Sequence, residues 1–438
     1  MPDSTILELR VGPIAHGGHC VARYEGRVIF VRHAIPGELV RVRVTEQDPT
    51  AKFWRADVCE VLEPSEHRVE HFWDPANALK HAEPVGGAEF GHIALAWQRE
   101  LKAQIVREQF QRLAGMEAAA AGFTQVLPAP QESDGLHWRT RMAYTVDAHG
   151  RLAMSAHRSH TLTALSSMPL AHRAIETARL YELNFRGISR VEVAVSSTDE
   201  SLLVLLAEAE RGAAARVAAA LPKALNIAAF SQGSGAAADG QGQLTRLRGR
   251  TWLSETVGEH NYRITGEGFW QIHRQAARVL TERVLDLCDP QPGQVIADLY
   301  AGAGLFSVPL AQRVGQSGTV FSVEGAPGTH RDAKKNLRQL PHARVIQGRV
   351  ERVLKQVSTS GLDTVVLDPP RVGIEKSVAA ELAASGAAKI CYVSCDPASF
   401  ARDVARLTSR GYELRHVEVH DLYPHTHHLE SVGLFVRR

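Results

Sequence analysis

From about residue 255 onward the chain alternates short apolar runs with longer amphipathic stretches, and no other feature restricts its fold as strongly. The apolar runs at 295–299, 319–323, 343–347, 364–367 and 389–394 each read as a strand. Stretches such as 329–340 and 377–384 fit as helices between them. A helix between two strands returns the chain across one sheet face, so the strands run parallel. The expected fold is α/β, with a Rossmann-like doubly wound domain over 256–438. Runs at 413–419 and 429–436 predict a closing hairpin.

Ligands of such sheets bind beyond the carboxyl ends of the strands, so the strand ends hold the chemistry. The first carries Asp298-Leu299-Tyr300-Ala301-Gly302-Ala303-Gly304, whose glycines let the backbone approach a ligand. The third glycine of a dinucleotide fingerprint is missing, since position 307 is Ser307, which tilts away from NAD. Glu324 ends the next strand and can accept bonds from both hydroxyls of a ribose. A ribose contact without a pyrophosphate loop suits S-adenosyl-L-methionine. Asp368-Pro369-Pro370-Arg371 is a rigid turn presenting Asp368 at the same edge. Cys395 ends a strand within Ser394-Cys395-Asp396-Pro397, where a following helix would lower the thiol pKa and make a nucleophile. Glu430 precedes the last strand and can act as a general base. Gln271, in Gly268-Phe269-Trp270-Gln271, can hydrogen-bond the cofactor or a base. In the tail, an alternating strand would place only His425 and His427 of the three nearby histidines on one face, with no paired carboxylate, so no metal is expected.

Upstream, residues 1–64 alternate in short runs broken by Gly17-Gly18 and Pro36-Gly37, predicting a small closed OB-like β-barrel. Residues 65–255 are mixed α+β. A helix is expected over 97–114, with Leu101, Ile105, Val106, Phe110 and Leu113 on one face, and another over 211–225. Residues 231–243 read as a flexible loop. Arg139, Arg141, Arg151 and Arg158 interleave with Trp138 and Tyr144, a pattern that either grips RNA phosphates and stacks bases or is a solvated strand pair.

Composition narrows the class. Lys and Arg number 50 against 48 Asp and Glu, so a polybasic nucleic-acid coat is excluded and any RNA surface must be local. The five cysteines (Cys20, Cys59, Cys288, Cys391, Cys395) are odd in number and scattered, unlike a secreted disulfide scaffold. No apolar run approaches the ~20 residues of a membrane helix, and Met1-Pro2-Asp3-Ser4 does not open a signal peptide. A cytoplasmic protein with reduced thiols, no membrane contact and no obligate protein partner is expected.

Taken together, Gly-Phe-Trp-Gln at 268–271, the 298–304 loop, Glu324, Asp-Pro-Pro-Arg at 368–371, Ser-Cys-Asp-Pro at 394–397 and Tyr-Pro-His-Thr…Glu at 423–430 resemble the RNA 5-methyluridine methyltransferase family. The first 64 residues resemble a TRAM domain. The resemblance implies three units: 1–64, a central RNA-binding domain over 65–255, and an S-adenosylmethionine-dependent domain over 256–438. It implies cofactor contacts from Gln271, Tyr300, Glu324 and Asp368, with Cys395 attacking carbon 6 of a uracil in rRNA or tRNA and Glu430 removing the proton from carbon 5. Methylation of another pyrimidine such as cytosine, or RNA binding without catalysis, are the rival readings.

Three departures stand out. Val85-Gly86-Gly87-Ala88 and Met168-Pro169 occupy positions where many members carry iron–sulfur cysteines, so no cluster is expected and apolar packing would replace it. His273 and Asp396 replace two usual asparagines.

Overall fold

Alternating apolar residues build the N-terminal sheet of β1 (Ile6–Arg10), β2 (Ile14–Ala15), β3 (His19–Tyr24), β4 (Arg27–Arg32), β5 (Leu39–Glu46) and β6 (Phe53–Glu63). In β5, Val40, Val42 and Val44 point into the core while Arg41 is exposed. The structure is a computed structural model that describes residues 5–48, 50–157, 159–232 and 242–438. The sheet order is β1-β5-β6-β4-β3-β2. It curls into a half-barrel and not the expected closed barrel. After β1, Gly12 N donates to Val21 O at 2.7 Å and Val21 N to Pro13 O at 3.0 Å. The pairing with β3 continues into β2, where Ile14 faces Cys20 and Ala15 faces His19.

The next elements are α1 (Leu95–Gln109), β7 (Val126–Pro128), β8 (Arg141–Val146), β9 (Leu152–Ser155), β10 (Leu162–Ala164), α2 (Arg173–Thr177), β11 (Ile188–Val195), β12 (Leu202–Glu208), α3 (Ala213–Ala220), β13 (Asn226–Gln232) and β14 (Gly242–Arg248). Seven of these strands form a second sheet, ordered β10-β9-β8-β11-β12-β13-β14. The expected loop over 231–243 is strand at both ends, and residues 233–241 lie outside the described residues, as does Arg158. The expected helix over 97–114 changes to a π-turn at Phe110–Ala114. The wider turn rotates the chain, so Phe110 stays buried while Leu113 is exposed.

Trp138 and Tyr144 are 2% and 1% exposed and belong to the core of the second sheet. The reading of these aromatics as base-stacking platforms is therefore corrected. Alternation along a half-buried sheet, not an RNA face, placed them between charged residues. Val85, Ala88 and Met168 pack into the same apolar core.

A hairpin, β15 (Trp252–Val257) with β16 (His260–Thr265), leads into the C-terminal domain, so the expected division after residue 255 falls inside β15. There follow α4 (Ala276–Cys288), β17 (Val295–Leu299), α5 (Ser307–Val314), β18 (Thr319–Glu324), α6 (Pro327–Asn336), β19 (Ala343–Gln347), α7 (Val350–Val357), β20 (Thr364–Leu367), α8 (Lys376–Ser385), β21 (Lys389–Ser394), α9 (Pro397–Thr408), β22 (Tyr412–Asp421) and β23 (Glu430–Arg437). The sheet order is β19-β18-β17-β20-β21-β23-β22-β7. β17 to β21 pair in parallel with one another and with β19, and the tail hairpin is antiparallel, as the alternation predicts. β7 adds an edge strand from the central segment, and α1 packs against this same core, with Phe110 meeting Phe400 edge-on at 5.9 Å. No helix among the described residues is long and apolar enough to cross a membrane.

Candidate active site

Strand register assembles the site. β17, β20 and β21 end side by side, so the residues after Leu299, Leu367 and Ser394 emerge together at one edge. Antiparallel pairing of Ser394 with Ser431 sets Cys395 beside Glu430 across the β21–β23 pair. Cys395 also lines a cavity of about 120 Å³ with His16, Gly17, Arg371, Asp396, His427 and His428.

The loop after β17 turns sharply. Tyr300 has φ +62°, a left-handed conformation costly for a residue with a Cβ. Gly302, at φ +54°, would point a Cβ into open space, so the backbone there is approachable. Glu324 fastens this loop, accepting from Gly302 N at 2.7 Å and from Ala326 N at 2.6 Å. Gln271 is 6% exposed, and among the described residues no side-chain hydrogen bond holds its amide. Its turn is anchored from β8: Arg141 Nη1 donates to Gly268 O at 2.6 Å. Arg139 Nε in turn donates to Arg141 O. Burial lowers the pKa of both arginines. Two members of the expected RNA patch thus brace the segment carrying Gln271, while Arg151 pairs with Asp147. His273 stacks on Trp138 at 5.6 Å, and burial depresses its pKa to about 3.

The floor is acidic. Asp298 is fully buried, accepts from Ser307 Oγ, and leaves Oδ1 without a partner. Burial raises its pKa to about 7. Asp368 is also raised to about 7, by burial and then by Asp298. Glu430 is 3% exposed and its pKa is raised by burial and by Asp368. It accepts from Tyr423 Oη at 3.0 Å. Burial and mutual repulsion thus hold all three carboxyls above the ordinary carboxylate range.

The thiol departs from expectation. The helix after Cys395 should lower its pKa, yet burial, Glu430 and Asp368 push it up to about 12. The N-cap of α9 is Asp396, which accepts from Ser399 N at 2.7 Å, so the helix terminus is already occupied by a carboxylate. Cys20, Cys288 and Cys391 are core residues, but Cys59 is half-buried on β6 and bonds Arg41 O. The histidines of the tail do not lie on a strand. Residues 422–429 connect β22 to β23, with His425 left-handed at φ +64°. His425 is held by Gln98 and by Asp134 O.

Three functional side chains carry no separate signal in the sequence. Tyr423 is one of several polar residues in its motif. His16 lies 380 positions from its partner Asp396. Lys102, fully buried on α1, pairs with Asp421 at 2.6 Å and donates to Tyr423 O at 3.1 Å, holding the loop in place.

Residues 343–438 match the model of the tRNA (uracil-5-)-methyltransferase family. A Streptomyces avermitilis protein named an uncharacterized RNA methyltransferase is 37% identical over 436 residues, covering 98% of this chain and 97% of that protein. One from Bifidobacterium longum is 37% identical over 456 residues, covering 100% and 98%. Among solved structures, the Pyrococcus abyssi tRNA (uracil-54, C5)-methyltransferase in complex with S-adenosyl-L-homocysteine superposes with a TM-score of 0.72 at 21% identity, covering 98% of this chain and all of that one. The chain belongs to the RNA methyltransferase family that includes the tRNA (uracil-5-)-methyltransferases.

Proposed function

We propose that this protein methylates carbon 5 of a uridine in RNA through a covalent adduct between Cys395 and carbon 6. The observation that carries the reading is the pairing of Ser394 with Ser431, which sets a thiol and a carboxylate side by side at the sheet edge. The residues present fit S-adenosylmethionine. Glu324 offers a fixed carboxylate, Gln271 a free amide, Tyr300 a ring, and Asp368 and the unpartnered oxygen of Asp298 negative charge. When bound, the cofactor supplies an electrophilic methyl group on a sulfonium cation. The Pyrococcus abyssi relative, in complex with S-adenosyl-L-homocysteine, supports this choice.

Carbon 5 of uracil is a weak nucleophile. Cys395 loses its thiol proton to solvent, Sγ bonds carbon 6, and the electrons of the carbon 5–carbon 6 double bond move through carbon 5 towards the carbon 4 oxygen. Carbon 5 can then form its bond to the methyl group. Glu430 accepts the remaining proton of carbon 5, the ring double bond re-forms, and Cys395 leaves as a thiolate. The raised pKa of Glu430 makes its ionised form a strong base. Burial and the charges of Glu430 and Asp368 raise the thiol pKa, and Asp368 would hold the cofactor's positive group, which would offset part of that charge. The uracil must leave its stack to reach Sγ, so loops and remodelled strands suit the site.

Nucleoside mass spectrometry of RNA incubated with the protein and S-adenosylmethionine tests the reading. The expected product is 5-methyluridine, with Cys395→Ala at least 10³-fold slower. Full activity of Cys395→Ala, or a methyl group on cytosine, overturns it.

A further inference from the structure

The N-terminal sheet contributes a side chain to the cavity around Cys395. The turn Gly17-Gly18 has φ +90° and +79°, and a Cβ at Gly18 would lie 2.7 Å from His427 Cβ. Only glycine permits this approach, which seats the turn against the loop before Glu430. His16, just before it, reaches Asp396 Oδ2 at 2.8 Å. Asp396 is the residue after the thiol, and both it and His16 line the cavity.

We propose that His16 is a positioning residue of the active site. Its ring nitrogen bonds Asp396, holding the Cys395 loop and stabilising a carboxylate next to the thiol. The inference rests on Cys395 being the nucleophile. Asp396 has two distinct tasks on its two oxygens: Oδ1 caps α9 through Ser399 N, and Oδ2 meets His16. An asparagine does the first equally well. The second oxygen is left for His16, which bonds it at 2.8 Å. Without His16, the Asp396 carboxylate loses that bond beside a thiol that Asp396 already makes harder to ionise. The turn between β2 and β3 of the N-terminal sheet is thereby part of the cavity around Cys395.

The charge argument separates this role from a structural one. Adduct formation is measured with an RNA carrying 5-fluorouridine at the target, where carbon 5 has no proton to lose and the adduct is trapped. His16→Ala should slow adduct formation about tenfold. His16→Ala combined with Asp396→Asn should recover to within about threefold of Asp396→Asn alone, since the carboxylate that His16 bonds is gone. His16→Ala forming adduct at the wild-type rate, or a double variant as slow as His16→Ala, overturns the proposal. A wild-type protein that forms no adduct overturns the nucleophile assignment, and this inference with it.

Discussion

At the scale of single residues, the hydrogen bond from Tyr423 to Glu430 has the most direct consequence. A hydroxyl that donates to a carboxylate stabilises the ionised form. Here it opposes burial and Asp368, which both favour the protonated form. Losing a hydrogen bond to a charged group costs about 1.5–3 kcal/mol, or roughly one to two pH units. Tyr423→Phe should therefore move the acid limb of the rate profile upward by about one unit. It should also slow release more than attack, so that RNA-linked protein accumulates on denaturing gels. An unchanged profile with no accumulated adduct would remove Tyr423 from the reaction. The thiol and Glu430 were legible in the sequence because each ends or begins a strand at the ligand edge. Tyr423 entered only as part of the 423–430 motif, since its bond to Glu430 depends on how that loop folds back, and His16 was not legible because its partner lies 380 positions away.

At the scale of elements, the parallel strands were legible because each is a short buried run between helices. The stretch over 137–160 was open to two readings, since arginines alternating with aromatics describe an RNA face and a half-buried strand equally. Burial of Trp138 and Tyr144 decides for the strand. Arg141 then serves β8 and the turn of Gln271, through its bond to Gly268 O. Arg141→Met keeps the apolar stem and removes the bond. Cofactor affinity, followed by calorimetry with S-adenosylhomocysteine, should weaken about tenfold while RNA affinity changes little. If Arg141 instead grips phosphate, the salt dependence of RNA binding should lose about one unit of slope and cofactor affinity should hold. Met168 poses a simpler case. It is fully buried where a cysteine ligand is usual, and Met168→Ala should cost about 2–5 kcal/mol of stability in a denaturant titration. A loss below 1 kcal/mol would mean that this core does not depend on it.

At the scale of the whole molecule, histidines set how the units stay together in acid. His33, which follows β4 of the N-terminal sheet, faces His92 at 6.1 Å, and both rings are buried. His71 is buried nearby, bonded to Ala88 O. Burial lowers His33 and His71 to about 4 and His92 further below its ordinary value. An unfolded histidine titrates near 6.5. Above that pH both states are neutral and the packing is intact. As pH falls from 6.5 towards 4 the unfolded state takes up protons that the folded state refuses, and stability is lost. Each such group costs about 2 kcal/mol by pH 5. Asp298 and Asp368 have the opposite sign. Raised to about 7, they contribute stability that is lost as pH rises through 7. The net slope is thus a difference between the N-terminal junction and the catalytic floor, and a single melting curve does not separate them. His92→Leu does, because it removes one titrating group from the junction and leaves the floor untouched. Between pH 7.5 and 5 the variant should lose about 2 kcal/mol less stability than the wild type. Parallel pH profiles for the two proteins would show that His92 takes up its proton as readily in the folded state as in the unfolded one.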